Sequence, residues 1–261
     1  MTDFAFIDSG VGGLPYMMEL LKKQDHASCI YVADTCNFPY GPKAHEEVVE
    51  CIVPLVEKVI NRFEPEVIVL ACNTISVNAL EVLRQKFPQK KFVGTVPAIK
   101  LAASVSKKRC IGLLATKATC ENPYNLELKN NFASDCQLIC RADGDLVSYI
   151  ENKGFTATKE ECLAAIKPAL DFFRRKGCDV IILGCTHFLN FTQVFKEACQ
   201  PDIKVVDSVD GVVRHTIEIS SSKFSEQTQP RLFITSSQNK EEQEKYEFIS
   251  SRFNIAFGGN I

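Results

Sequence analysis

The sequence has no basic excess. Thirty Lys and Arg stand against thirty-two Asp and Glu, a net charge of −2, so there is no electrostatic footprint for nucleic acid. No apolar run is long enough to span a bilayer. The start, Met1-Thr2-Asp3-Phe4, enters a strand-like segment without the basic and apolar stretches of a signal peptide, so a cytoplasmic protein is expected. There is no Cys-x-x-Cys pair, and the four histidines (His26, His45, His187, His215) are scattered, which argues against zinc. Neither Gly-x-Gly-x-x-Gly nor Gly-x-x-x-x-Gly-Lys is present, which excludes the common dinucleotide and phosphate loops. No lysine has the context of a Schiff-base residue. No metal and no cofactor are expected.

Cysteine, by contrast, is plentiful: twelve in 261 residues. In a secreted chain they would suggest disulfides, but nothing here points to secretion. Cys51, Cys110, Cys162 and Cys178 lie in apolar or helical contexts and read as small core residues. Two others sit differently. Val67-Ile68-Val69-Leu70-Ala71-Cys72-Asn73-Thr74 and Val180-Ile181-Ile182-Leu183-Gly184-Cys185-Thr186-His187 share one pattern. Each is a buried parallel strand by its apolar run, then a small residue, a cysteine and polar side chains. Each cysteine therefore stands at the carboxyl end of a strand, where open α/β sheets bind ligands.

Strand-like and helix-like segments alternate throughout, which predicts an α/β protein with mostly parallel sheets. Strands are expected at Phe4–Ile7, Cys29–Ala33, Val67–Ala71, Lys91–Gly94, Cys110–Ala115, Cys136–Arg141, Val180–Gly184, Lys204–Val206 and Arg231–Thr235. Helices are expected from Gly12-Gly13 to Lys23, then over Ala44–Phe63 with a kink at Pro54, Ser76–Phe87, Thr119–Phe132, Lys159–Lys176 and Phe188–Cys199. A further helix runs to Ile219, and Glu241–Phe253 forms the last. Phe38-Pro39-Tyr40-Gly41-Pro42 and Ser220 to Gln229 read as loops. Phe6-Ile7-Asp8-Ser9-Gly10 corresponds loosely to Leu113-Leu114-Ala115-Thr116, and the Cys72 strand to the Cys185 strand. The expectation is two similar, pseudo-twofold related α/β domains, residues 1–94 plus 207–261 and residues 95–206, with strand ends facing across a cleft.

The chemistry follows from these strand ends. Taken alone, each cysteine reads equally well as a buried residue before a helix cap, since Asn and Thr cap well. His187 beside Cys185 tilts the second case, because imidazole can take up or deliver a proton at a thiol. The glycines of Asp8-Ser9-Gly10-Val11-Gly12-Gly13 permit a tight turn, either structural or bringing a ligand to backbone N–H groups. Two matched thiols suit inversion of a stereocentre, where one group removes a proton from one face and another delivers one to the opposite face.

Several segments in order carry a resemblance. They are Phe6-Ile7-Asp8-Ser9-Gly10-Val11-Gly12-Gly13-Leu14, Ala33-Asp34-Thr35 with Phe38-Pro39-Tyr40-Gly41, and Ala71-Cys72-Asn73-Thr74. Thr116 with Thr119, Leu183-Gly184-Cys185-Thr186-His187, Asp207-Ser208 and Leu232-Phe233-Ile234-Thr235-Ser236 complete the set. Here the chain resembles the glutamate racemases of the cofactor-independent aspartate/glutamate racemase superfamily, over nearly its whole length. The resemblance implies that Cys72 abstracts the α-proton of D-glutamate and Cys185 that of L-glutamate, assisted by Asp8 and His187 respectively. It implies that Ser9, Asn73, Thr74, Thr116, Thr119 and Thr186 hold the substrate. The Pro39-Tyr40-Gly41 loop would close the pocket, with the Tyr40 and Gly41 backbone meeting the side-chain carboxylate. The implied role is supply of D-glutamate for bacterial peptidoglycan, and a homodimer is expected because such relatives often dimerise.

The chain departs from that pattern at Asp145-Leu146-Val147-Ser148-Tyr149-Ile150-Glu151, where a proline-rich segment is usual, and at Leu14-Pro15-Tyr16, where a small hydroxyl residue is common. It carries no N-terminal extension of the kind found in relatives regulated by a cell-wall precursor, so no such activator is expected. Three rival readings stand beside the first: an aspartate racemase, a thiol hydrolase or amidotransferase using Cys185 with His187, and an idle binding protein for an acidic amino acid. The aspartate alternative differs by one methylene, a difference worth only about 1–3 kcal/mol in a pocket.

Overall fold

The apolar β-branched runs become central strands because all of their side chains are buried. A computed structural model describes residues 2–221 and 230–261. The chain opens with β1 (Phe4–Asp8), α1 (Leu14–Lys23), β2 (Cys29–Ala33), α2 (His45–Phe63), β3 (Val67–Leu70), α3 (Asn73–Lys86) and β4 (Lys91–Gly94). It continues through α4 (Ile99–Val105), β5 (Cys110–Ala115), α5 (Lys117–Glu121), α6 (Pro123–Phe132), β6 (Gln137–Ala142), α7 (Gly144–Lys153) and α8 (Lys159–Arg175). Next come β7 (Val180–Leu183), α9 (Thr186–Leu189), α10 (Thr192–Cys199) and β8 (Lys204–Val206). It ends with α11 (Val209–Ile219), β9 (Arg231–Thr235), α12 (Lys240–Ser251) and β10 (Ala256–Asn260). Two units result, one from residues 1–95 and 209–261 and the other from 96–208.

Each unit has one sheet, with every strand pairing parallel. The first runs β10-β9-β2-β1-β3-β4 and the second β6-β5-β7-β8 among the described residues. The order β2-β1-β3-β4 is repeated as β6-β5-β7-β8, so the loose sequence repeat is a repeat of topology. Register makes it residue by residue. Ile7 lies opposite Leu70 and Leu114 opposite Leu183. The Ala71 N–H then donates to the Ile7 carbonyl at 2.8 Å, as the Gly184 N–H donates to the Leu114 carbonyl at 2.7 Å. Cys72 and Cys185 are thus equivalent, and Asp8 corresponds to Ala115.

Helices cover the sheets through apolar stripes. α2 buries Val48, Ile52, Val53, Val56 and Val59 in the cluster that also holds Ile7, Ile68 and Leu70. Each such side chain contributes roughly 1.5–3 kcal/mol. In the second unit α4 packs Ile99, Ala102 and Ala103 onto Ile111, Leu113, Val180 and Ile182. α8 starts at a capping box, with Thr158 Oγ1 accepting from Glu161 N and Glu161 Oε2 accepting from Thr158 N.

Some expected elements are drawn differently. The single helix Thr119–Phe132 is two, because Asn122 precedes Pro123 and takes an extended conformation (φ −70°, ψ 127°), its side chain capping α6 at Tyr124 N. Phe188–Cys199 likewise divides into α9 and α10, and the helix expected from Ser76 begins at Asn73. Pro54 lies inside α2 without interrupting it. α4, α7 and β10 are additional elements. Of the loop expected at Ser220 to Gln229, residues 222–229 lie outside the described residues. No helix among the described residues is long and apolar enough to cross a membrane.

Candidate active site

In the first unit the polar groups gather where β1, β2 and β3 end. Asp8 closes β1 and is fully buried. Its Oδ1 accepts from the Ser9 N–H, from Ser9 Oγ at 3.1 Å and from Gly10 N at 3.4 Å, so the carboxylate organises the turn that follows it. Gly13 must be glycine. An added Cβ would stand 2.6 Å from Ala71 Cβ, 2.7 Å from the Ala71 carbonyl oxygen and 3.0 Å from Asp8 Oδ2. The turn thereby lies against both Asp8 and the residue before Cys72. Tyr31, buried in β2, fastens it: its hydroxyl donates to the Gly10 carbonyl at 2.8 Å and accepts from Gly13 N at 2.9 Å.

Cys72 occupies the N-cap position of α3 in extended conformation (φ −141°, ψ 122°), with Asn73 and Thr74 as the first helical residues. Its residual exposure is 6%. Ser76, one turn on, donates to the Leu70 carbonyl at 2.9 Å and accepts from Thr95 N at 2.9 Å, which locks α3 to the ends of β3 and β4. The Pro39-Tyr40-Gly41 loop leaves Pro39 exposed and buries the Tyr40 side chain in the core beside Cys72 and Val48. Burial, then the Asp34 carboxylate, pushes the Tyr40 phenol far above its ordinary value, so it remains a donor.

In the second unit Cys185 is the N-cap of α9 (φ −129°, ψ 137°), 5% exposed. Gly184 before it is tightly enclosed, since a Cβ would meet Leu113 Cδ1 at 2.5 Å and the Leu114 carbonyl oxygen at 3.2 Å. His187 Nδ1 faces Cys185 Sγ at 3.9 Å, and His187 Nε2 lies 2.8 Å from Glu151 Oε2. Both side chains of that ion pair are buried, at 2% and 1% exposure. Burial alone would favour neutral imidazole. Hydrogen bonding and charge from Cys185 and Glu151 outweigh it and hold the His187 pKa well above the ordinary histidine range. Thr116 caps α5, accepting from Thr119 N at 3.3 Å and donating to Thr119 Oγ1 at 3.0 Å. Thr119 is fully buried and Thr186 nearly so.

The predicted residues therefore form two clusters, one per unit. Asp8, Ser9, Tyr40, Gly41, Cys72, Asn73 and Thr74 belong to the first; Thr116, Thr119, Cys185, Thr186 and His187 belong to the second. The clusters are not copies. Ala115 stands where Asp8 would be expected, and Thr74 where His187 would be. Sequence reading missed Glu151, Tyr31 and the role of Asp34. Glu151 was detectable in principle, as a carboxylate on the same helical face as Leu146, Val147 and Ile150. No group of three or more His, Cys, Asp or Glu among the described residues is arranged to hold a metal.

The family model "Asp/Glu/Hydantoin racemase" matches residues 15–216. A glutamate racemase of Treponema pallidum is 35% identical over 98% of this chain and 95% of its own length. One from Proteus mirabilis is 37% identical over 80% of this chain and 73% of its own. The crystal structure of Escherichia coli glutamate racemase, in complex with L-glutamate and the activator UDP-MurNAc-ala, superposes with a TM-score of 0.86. It covers 100% of this chain and 98% of that one, at 28% identity. On sequence and on fold alike, the chain belongs to the Asp/Glu/Hydantoin racemase family.

Proposed function

We propose that this protein is a cofactor-independent glutamate racemase, interconverting L- and D-glutamate through two thiols that serve one α-carbon. The observation that carries the reading is the placement of Cys72 and Cys185 at the same register position of two parallel sheets that share one four-strand order. Relatives named glutamate racemase, one of them solved with L-glutamate, support the choice of substrate.

In the L-to-D direction Cys185, as thiolate, takes the α-proton, and the Cys72 thiol gives its proton to the other face. The two sulfurs end with exchanged protonation states, and the D-to-L reaction runs in reverse. His187, held by Glu151, exchanges a proton with the Cys185 side, and Asp8 does so on the Cys72 side. The α-proton is a very weak acid, so the carbanionic transition state needs electrostatic support. Hydroxyls of Ser9, Thr74, Thr116 and Thr186, the Asn73 amide and nearby backbone N–H groups would supply it in a water-poor site. Thr119 holds the Thr116 hydroxyl through two hydrogen bonds. The Tyr40 and Gly41 backbone would meet the side-chain carboxylate, since the Tyr40 ring itself is taken up by the core. We place the enzyme in the cytoplasm, as a homodimer that supplies D-glutamate for peptidoglycan.

Circular dichroism of L-glutamate incubated with the enzyme in D2O is the test. Loss of optical activity with deuterium entering at the α-carbon is expected, and either Cys→Ser change should reduce turnover by about a thousandfold. Racemisation of aspartate but not glutamate would transfer the assignment to the aspartate enzyme. Full turnover by Cys72→Ser would reject the two-thiol chemistry in favour of a Cys185–His187 hydrolase.

A further inference from the structure

The register repeat places an aspartate at one further equivalent position. Asp34 follows β2 and Asp143 follows β6. The Asp34 N–H donates to the Asp8 carbonyl at 2.7 Å, as the Asp143 N–H donates to the Ala115 carbonyl at 3.1 Å. Each carboxylate then ties down the segment that comes next. Asp143 Oδ1 caps α7 at Leu146 N (3.1 Å), the helix that delivers Glu151 to His187. Asp34, itself buried, collects the loop instead. Tyr40 Oη donates to its Oδ2 at 2.5 Å, and Asn37 Nδ2 donates to Oδ1 and Oδ2 at 3.1 and 3.0 Å. A buried carboxylate with these donors is held firmly, because losing any one leaves an acceptor without water to replace it.

We propose that Asp34 is a positioning residue for substrate side-chain recognition, fixing the Pro39-Tyr40-Gly41 backbone through the Tyr40 phenol. This rests on the racemase reading, in which that backbone meets the distal carboxylate of glutamate. Asp34 touches no reacting atom. It joins the loop to the strand end that carries Asp8, beside the core packing that holds the Tyr40 ring. Removing the link loosens the hold on the distal carboxylate and leaves the thiols unchanged. Ground-state binding and selectivity suffer, and the proton transfer itself does not.

The experiment is steady-state racemisation of L- and D-glutamate, and of L-aspartate, by the full-length enzyme and by Asp34→Asn, Tyr40→Phe and the double variant. Thermal unfolding is followed in parallel. For Asp34→Asn, KM for glutamate is expected to rise about tenfold while kcat changes by less than about threefold. The preference for glutamate over aspartate should narrow in both single variants. The double variant should be no worse than the weaker single, because both act on one link. Should Asp34→Asn fail to fold, Tyr40→Phe reads the same link with the carboxylate intact. Wild-type KM and selectivity in the folded variants, a fall confined to kcat, or additive losses in the double variant would overturn the proposal. A wild-type enzyme that racemises neither amino acid would instead overturn the racemase reading on which it stands.

Discussion

His187 Nε2 lies 2.8 Å from Glu151 Oε2 while the opposite ring nitrogen faces Cys185 Sγ at 3.9 Å. One histidine thus joins a carboxylate on α7 to a thiol at the end of β7. The carboxylate keeps the ring oriented and its charged form favoured, which a histidine buried alone would not be.

Replacing Glu151 with Gln removes a charge that raises the His187 pKa, so that pKa should fall. The alkaline limb of the pH–rate profile should move to lower pH, and NMR titration of the His187 ring should show the same shift. The sign in stability is the same. A histidine whose pKa is raised on folding stabilises fully below its unfolded value, about 6.5, and the stabilisation is lost as pH rises through the folded value. Glu151→Gln should bring that loss to lower pH in unfolding curves, and an unmoved alkaline limb would separate Glu151 from the histidine's titration.

Gly13→Ala places a methyl 2.6 Å from Ala71 Cβ and 3.0 Å from Asp8 Oδ2. Because backbone and a strand residue must give way, a loss of about 1–3 kcal/mol is expected in denaturant unfolding. Turnover should fall as well, since the displaced groups flank Cys72 and carry Asp8. An alanine variant with wild-type stability would show that the turn can shift freely.

Tyr31→Phe keeps the ring stacked on Phe233, 5.1 Å away between centroids, but strips the hydroxyl from Gly10 and Gly13. Two buried backbone groups then lose a partner, a destabilisation of about 1–3 kcal/mol. Chemical denaturation measures it directly. The effect should exceed that of Tyr149→Phe, whose hydroxyl lies on a half-buried residue.

Asp143→Ala removes the cap at Leu146 N and the partner of Arg141 at 2.9 Å. Loss of a helix cap is worth about 1 kcal/mol. Amide exchange in α7 should accelerate more than elsewhere in the second unit, and turnover should fall through Glu151. Uniform exchange across the unit would argue against a local role.

Strands were the most legible part of the fold, because parallel strands buried on both faces read as unbroken apolar runs in any context. Val67–Leu70 and Val180–Leu183 are the clearest cases. β10 was not legible, since Gly258 and Gly259 argue against a strand and its place at the sheet edge comes from pairing with β9. α7 lies where the chain departs from the family pattern, and only its Leu146, Val147 and Ile150 stripe marks it as a helix.

The residue pattern was enough to specify two similar α/β halves and to single out two cysteines at strand ends, because burial and strand period are local properties of a chain. Partnership is a different matter. Glu151 meets His187 across 36 residues, Tyr31 meets Gly13 across 18, and the aspartates after β2 and β6 turn to different tasks at one register position. Such pairings depend on which helix packs against which strand end, so folding in three dimensions supplied them.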